Sequence, residues 1–233
     1  MTTDASAERI VTAECAKCMR SEQARNSIAS DASRAVQAVK SRDMKELWKL
    51  VHPVNGVRFS PYGFLDKKSD IRFTPAMLRV ALADHGVRVW GTSDGSGKPI
   101  RLSFANYFKR FVYDRDFANA SRVLYNGEQE ARSNTHDNSR EEYPDAIIVE
   151  FYIPGSAGNE GTASRSLRLI FEQYRGAWYL VHIVHDEWTV LRTACTQGRH
   201  RAVRSHDAAA DDDLFGLIQP RAPPETRTAP NQA

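Results

Sequence analysis

The chain has 233 residues, 41% of them hydrophobic, and a formal net charge of +3. That charge is small, and no run of Lys and Arg with interleaved aromatics marks a nucleic-acid groove. No stretch of about 18 apolar residues is present, so no integral membrane helix is expected.

Residues 1–30 are polar and carry balanced charge, four Lys/Arg against four Asp/Glu. They are expected to be disordered or partly helical. Met1 to Ala13 is interrupted by Asp4, Glu8 and Arg9, so it lacks the apolar run of a secretory signal, and the chain as written reads as cytoplasmic. Cys15 and Cys18 form a C-x-x-C pair. A structural zinc needs four ligands, and Cys195 with His200 would complete the set only by joining the two ends of the chain. The pair is expected to be reduced and unligated, and neither a metal nor a cofactor is expected.

From residue 31 the pattern changes. All four Trp and all eight Tyr lie between Trp48 and Trp188, and of the ten Phe only Phe215 lies outside. Aromatics bury the most area per residue, so the core is expected here. A domain over 31–190 is long enough to bury roughly two-thirds of its unfolded surface. Ser30 or Asp31 is expected to cap a helix carrying Ala32, Ala35, Val36 and Val39 at helical spacing. A second helix is expected from about Ser41, with Met44, Leu47, Leu50 and Val51 on one face, ending at His52-Pro53. Gly56 to Asp66 reads as a short strand and a loop shaped by glycine and proline. Thr74-Pro75 opens a helix to about Ala83. Val87 to Thr92 and Ile100 to Leu102 read as strands joined by the Asp94–Pro99 turn. Ser103 is expected to cap a helix with Phe104, Tyr107, Phe108 and Phe111 on its apolar side.

Residues 127–142 are polar and read as a loop. Asp145 to Ile153 is a strand, Gly155 to Gly161 a second loop. Ser166 to Tyr174 and Trp178 to Val190 form a hairpin joined at Arg175-Gly176-Ala177. Residues 191–233 hold Asp211-Asp212-Asp213 and Pro223-Pro224 and read as a disordered tail, with one short apolar cluster from Leu214 to Ile218. Helices first and long antiparallel strands late argue for an α+β fold, the helices packed on one face of a curved sheet.

Several blocks carry a resemblance. The helices ending at Leu50-Val51-His52-Pro53 and the closing Trp178–Trp188 strand resemble the NTF2-like (cystatin-like) cone. His52–Tyr62, Val89–Pro99, Tyr107–Asn119, Tyr143–Ala146 and Trp178–Trp188 are similar to blocks of a family of bacterial exported proteins and lipoproteins with no assigned activity. The resemblance covers most of 31–190. It implies a cell-envelope location if the true N-terminus lies upstream. The family's acylated cysteine would correspond to Cys15, yet Glu14 stands where a small residue is required.

Polar residues inside these blocks are the site candidates. Side chains alternate along a strand, so His182 and Asp186 are expected on one face with Trp178, Leu180, Val184 and Trp188, and His185 on the other with Tyr179, Val181 and Ile183. Four residues span about 13 Å, too far for a direct His182–Asp186 bond, so each needs a partner from elsewhere. His52, Arg58, Ser60 and Tyr62 cluster in the shaped loop. Asp66/Asp70 and Asp114/Asp116 are carboxylate pairs read as solvated loop charges. Asp94-Gly95-Ser96-Gly97 is too short for a calcium loop and leads into no helix, which excludes a phosphate loop.

The expected function is non-catalytic binding of a small ligand or a protein partner, with His52, Arg58, Tyr62, Trp90, His182, Asp186 and Trp188 lining the site. The rival is a hydrolase or isomerase with His182 or Asp186 as base inside the cone. A third reading is a purely structural or dimerising module that presents its sheet to a partner.

Overall fold

Apolar side chains three or four residues apart build the first layer. Helix α1 (Ser21–Ser41) buries Ala24, Ile28, Ala32, Ala35, Val36 and Val39 along one stripe. The chain is thus already helical at Ser21, and Ser30 and Asp31 lie inside the helix rather than at its cap, because Ala24 and Ile28 extend the apolar stripe backwards. Arg42 turns the chain at φ 56°. The second helix, α2 (Met44–Leu50), starts three residues after Ser41 and is capped by Asp43, whose carboxylate accepts from the Lys45 and Glu46 amides. The computed structural model describes residues 21–127, 136–155 and 164–188. The two cysteine-bearing ends, Leu214 to Ile218, half of the expected 127–142 loop, most of the expected 155–161 loop and the end of the last strand at Val190 lie outside the described residues.

The main sheet has six strands in the order β2-β1-β8-β7-β6-β5. These are β1 (Val57–Ser60), β2 (Ile71–Phe73), β5 (Arg122–Tyr125), β6 (Ile147–Ile153), β7 (Ser164–Tyr174) and β8 (Ala177–Trp188). All neighbours pair antiparallel except β1 and β8, which run parallel. A separate hairpin joins β3 (Arg88–Thr92) and β4 (Pro99–Leu102). The protein is therefore α+β, with helices on one face of a curved, mostly antiparallel sheet.

Helix α3 (Pro75–Val80) starts as expected, with the Thr74 hydroxyl accepting from the Met77 amide. Ser103 stands at the start of α4 (Phe104–Tyr107), but its hydroxyl makes no capping bond. The helix then widens into a π turn over Phe108–Val112. In the polar 127–142 segment, Ser139–Glu142 forms a short helix, α5. Tyr174 and Ala177 close the β7–β8 hairpin, with positive φ at Arg175 (51°) and Gly176 (83°), as a tight type I′ turn demands.

The helix-facing side of the sheet is filled. Phe59, Phe73, Trp90, Phe104 and Tyr107 are all buried there. Trp90 stacks on Tyr107 with centroids 3.8 Å apart, and Phe59 meets Phe73, Trp90 and Phe104 edge-on. The opposite, outer face carries a smaller cluster of Ile148, Ile170, Val181 and Val184, covered by Leu65, Tyr143 and Ala146. Asn138 ties the two covering segments together, accepting from the Leu65 amide at 2.7 Å and donating to its carbonyl at 2.9 Å.

Candidate functional site

A bulge decides which side chains reach the outer face. Phe171 pairs with Leu180 and Ile170 with His182, so β8 carries one extra residue, Val181. Leu180 points into the helix-side core and Val181 into the outer cluster. Strict alternation fails here. His182 and Asp186 do share a face with Val184, but not with Leu180 or Trp178, which belong to the helix side. Val181 lies on the His182 face, not with His185 and Ile183. His182 and Asp186 therefore face away from the cone interior, which corrects the expectation of a base inside it.

Strand register assembles a row across that outer face: Ile148 opposite Ile170, Ile170 opposite His182, His182 opposite Arg58, and Arg58 opposite Arg72. The row passes from apolar to cationic as it nears the β2 edge. A second row runs Glu150, Arg168, Val184, Ser60.

His182 is fully buried and bonded on both ring nitrogens. Ser60 has one proton, and its hydroxyl lies 2.6 Å from Asp70 Oδ2. Ser60 Oγ therefore accepts from His182 Nε2–H at 2.7 Å. Nδ1 is left as acceptor for the Tyr143 hydroxyl at 3.1 Å. Asp70 Oδ2 also lies 3.5 Å from Nε2. Burial holds His182 below the usual imidazole range, although Asp70 pulls the other way. Burial likewise pushes the Tyr143 phenol up, so both are neutral near pH 7. Arg58 donates to the backbone carbonyl of Asp70 at 2.9 Å.

Asp186 belongs to another buried group. Arg168 Nη2 donates to it at 2.7 Å, Nη1 lies 3.1 Å from Asp137, and Nε lies 3.6 Å from Glu150. Burial alone would lower the guanidinium, but the three carboxylates outweigh it and raise it. Asp186 is thereby committed to a structural ion cluster that ties the 136–146 cover to the sheet. Nothing in the spacing of β7 named Arg168 beforehand. The signal was a charged residue inside Leu167–Phe171, an otherwise apolar run.

The remaining candidates disperse. His52 Nδ1 accepts from the Val54 and Asn55 amides at 3.1 and 2.8 Å, which shapes the turn before β1. Its ring packs on Tyr174 and Tyr179. Trp90 is part of the filled interior, its indole donating to the Leu102 carbonyl. Tyr62 packs edge-on against Phe111. Trp188 pairs through its backbone with Ser164. His185, on the helix side, lies between the Pro61 carbonyl (3.2 Å) and Asp114 (3.3 Å), and Asp114 also holds Arg165. Burial would raise the Asp114 carboxyl, yet His185 and Arg165 outweigh it and hold it below the usual range. Asp114 is thus a structural partner rather than a solvated charge. Asp66 and Asp116 stay solvated, Asp116 held down to about 2 by Tyr113, Asn119 and Lys40. Among the described residues no His, Cys, Asp or Glu group could hold a metal ion, and no described helix is long and apolar enough to cross a membrane.

Among the described residues two clefts touch the His182 network. One of about 580 Å³ reaches Asp70 and is lined by Tyr62, Trp90 and Asp94 among others. A smaller one, of about 170 Å³, reaches Tyr143 and is lined by Asn55, Arg58, Lys67, Arg72, Tyr143, Glu172 and Val181. Asn55 comes from the turn before β1, and the other six from β1, β2, β7, β8 and both covering segments. Lys67 bridges the cleft wall, donating to the Glu142 carbonyl and lying 3.7 Å over the Tyr143 ring. Asn55 donates to Glu172 at 3.3 Å. Of these residues the sequence singled out Arg58 as a site candidate. A larger opening lined by His52, Asn55, Glu172, Tyr174 and Trp178 lies at the hairpin end of the sheet.

No family model matches the chain, and no curated protein matches it. Among solved structures the chain is similar to a variant of a protein titled Rd1NTF2_05, with 11% sequence identity and a TM-score of 0.29, over 68% of this chain and 96% of that chain.

Proposed function

We propose that residues 21–188 form a non-catalytic binding domain of the NTF2-like kind, whose small ligand sits in the outer-face cleft at Arg58 and Tyr143 rather than inside the cone. The observation that carries this reading is the backing of the cleft. Arg58 is held by the Asp70 backbone carbonyl, the Asp70 carboxylate by Ser60, Ser60 by His182 and His182 by Tyr143, so two cleft walls are joined by hydrogen bonds that meet at the backbone and side chain of Asp70. A fully satisfied buried network fixes the side chains at its ends, and preorganised walls lower the ordering cost of binding. The aromatic filling of the helix side supports the same placement.

The test is a thermal-shift screen of the purified chain against small molecules, with each hit retitrated on Arg58→Gln and Glu172→Gln. Hits that bind both variants as tightly as the unmodified protein place the ligand elsewhere and refute the reading.

One observation favours the enzyme reading. Tyr143 both lines the cleft and bonds to His182, so a proton at its hydroxyl has a path to Nδ1. Tyr143→Phe separates the two. A binding domain keeps its ligand with little change, whereas an enzyme keeps binding and loses turnover.

A further inference from the structure

We infer that the cleft is an anion site that takes the phosphate group of a small phosphate monoester, held by Arg58 and Arg72 with Lys67 at its side. The inference rests on the cleft being the binding surface, and it adds the chemistry of the ligand.

The first observation is the register. Arg58 and Arg72 are directly opposite one another across β1 and β2, on the same face. Like charges opposite each other in an antiparallel pair oppose folding. Arg58 donates to a neutral backbone carbonyl. Arg72 is exposed and makes no ion pair among the described residues. An anion between two guanidinium forks turns that repulsion into a charge-assisted grip.

The second observation is the charge count of the walls. Three cations, Arg58, Lys67 and Arg72, face one carboxylate, Glu172, in the cleft lining, a net of +2, with the Glu142 carboxylate 3.8 Å from Lys67 just outside that lining. That balance matches a phosphate monoester, whose charge is about −1.5 to −2 at neutral pH. A monocarboxylate would neutralise half of it. Glu172 is additionally drawn towards Asn55. The volume, about 170 Å³, lies below the usual range for drug-sized ligands of about 300–1,000 Å³. It suits a small headgroup.

Inorganic phosphate is the probe. The full chain is titrated by calorimetry at pH 7.5, with sodium chloride adjusted to constant ionic strength. Saturable binding is expected, weakened about tenfold or more in Arg72→Gln. Arg72 is exposed and bonded to nothing named here, so the variant folds, which its unchanged circular dichroism and melting temperature confirm. Glu172→Gln is expected to tighten phosphate binding severalfold by removing the like charge. The proposal is overturned if heat fails to saturate at constant ionic strength, or if Arg72→Gln binds like the unmodified chain. A neutral ligand that binds through Arg58 and Tyr143 while phosphate does not would sink the anion assignment alone and leave the cleft as the binding surface.

Discussion

Lowering the pH should unfold this protein through His182. The ring is fully buried and neutral, its pKa held below the unfolded value of about 6.5 by burial. Below that value the unfolded chain binds a proton at this histidine that the folded chain refuses. Stability is therefore intact above about pH 6.5 and is lost as pH falls towards the folded pKa. One such group contributes at most ~1.4 kcal/mol per pH unit in that window. For a domain of this size that is about 3 to 6 °C in melting temperature per unit. The surroundings oppose relief of the strain. Asp70 favours the charged ring, but Arg58 and Lys67 disfavour it, and Nδ1 would have to turn from acceptor to donor against the Tyr143 hydroxyl. His52, whose pKa is also lowered by burial, adds a smaller slope. Carboxylates titrate lower, around pH 4 in the unfolded chain, so the window from 6.5 to 5 reports on histidine. The assay is urea denaturation at half-unit pH steps for the unmodified chain, His182→Gln and His52→Gln. His182→Gln should be less stable at pH 7.5 and much flatter with pH, and His52→Gln should keep most of the slope. A His182→Gln variant with the full pH slope would refute the reasoning.

Three further substitutions probe the frame. Arg168→Met leaves Glu150, Asp137 and Asp186 facing one another without their cation, and should cost about 3–5 kcal/mol in a denaturant titration. Trp90→Ala empties the stack on Tyr107 and Phe73, at a cost of about 3–5 kcal/mol in the same measurement. At Gly56, φ is +66° and an added Cβ would come within 2.3 Å of the Phe73 carbonyl oxygen. Gly56→Ala should therefore destabilise by more than about 1 kcal/mol, read as a lower melting temperature.

Local signals carried the outline of the fold. The Thr74 cap, the apolar stripe of α1 and the turn at Arg175-Gly176 are each written in a few adjacent residues. The short edge strands β2 and β5 were missed because three or four residues hold too little pattern. The face of His182 was misjudged at one point, Val181, where the bulge shifts the alternation by a residue. A bulge is set by how two strands pair, so β8 alone does not reveal it. The partners of His182 lie far away in the chain, at Ser60, Asp70 and Tyr143, and no spacing rule joins them. What could be read was narrower and correct: His182 and Asp186 cannot bond along one strand, and each has found its partner elsewhere.

The place of β8 has a consequence for how the chain comes together in time. It lies between β1 and β7, so residues 57–60 wait for residues 182–184 before their inner edge is paired. During synthesis the sheet exists as two halves with open edges until the last central strand emerges. Such long-range closure makes folding slow relative to helical proteins of the same length. A chain stopped before residue 177 would hold every helix described here and still lack the strand that unites them, leaving a species prone to pair with its neighbours.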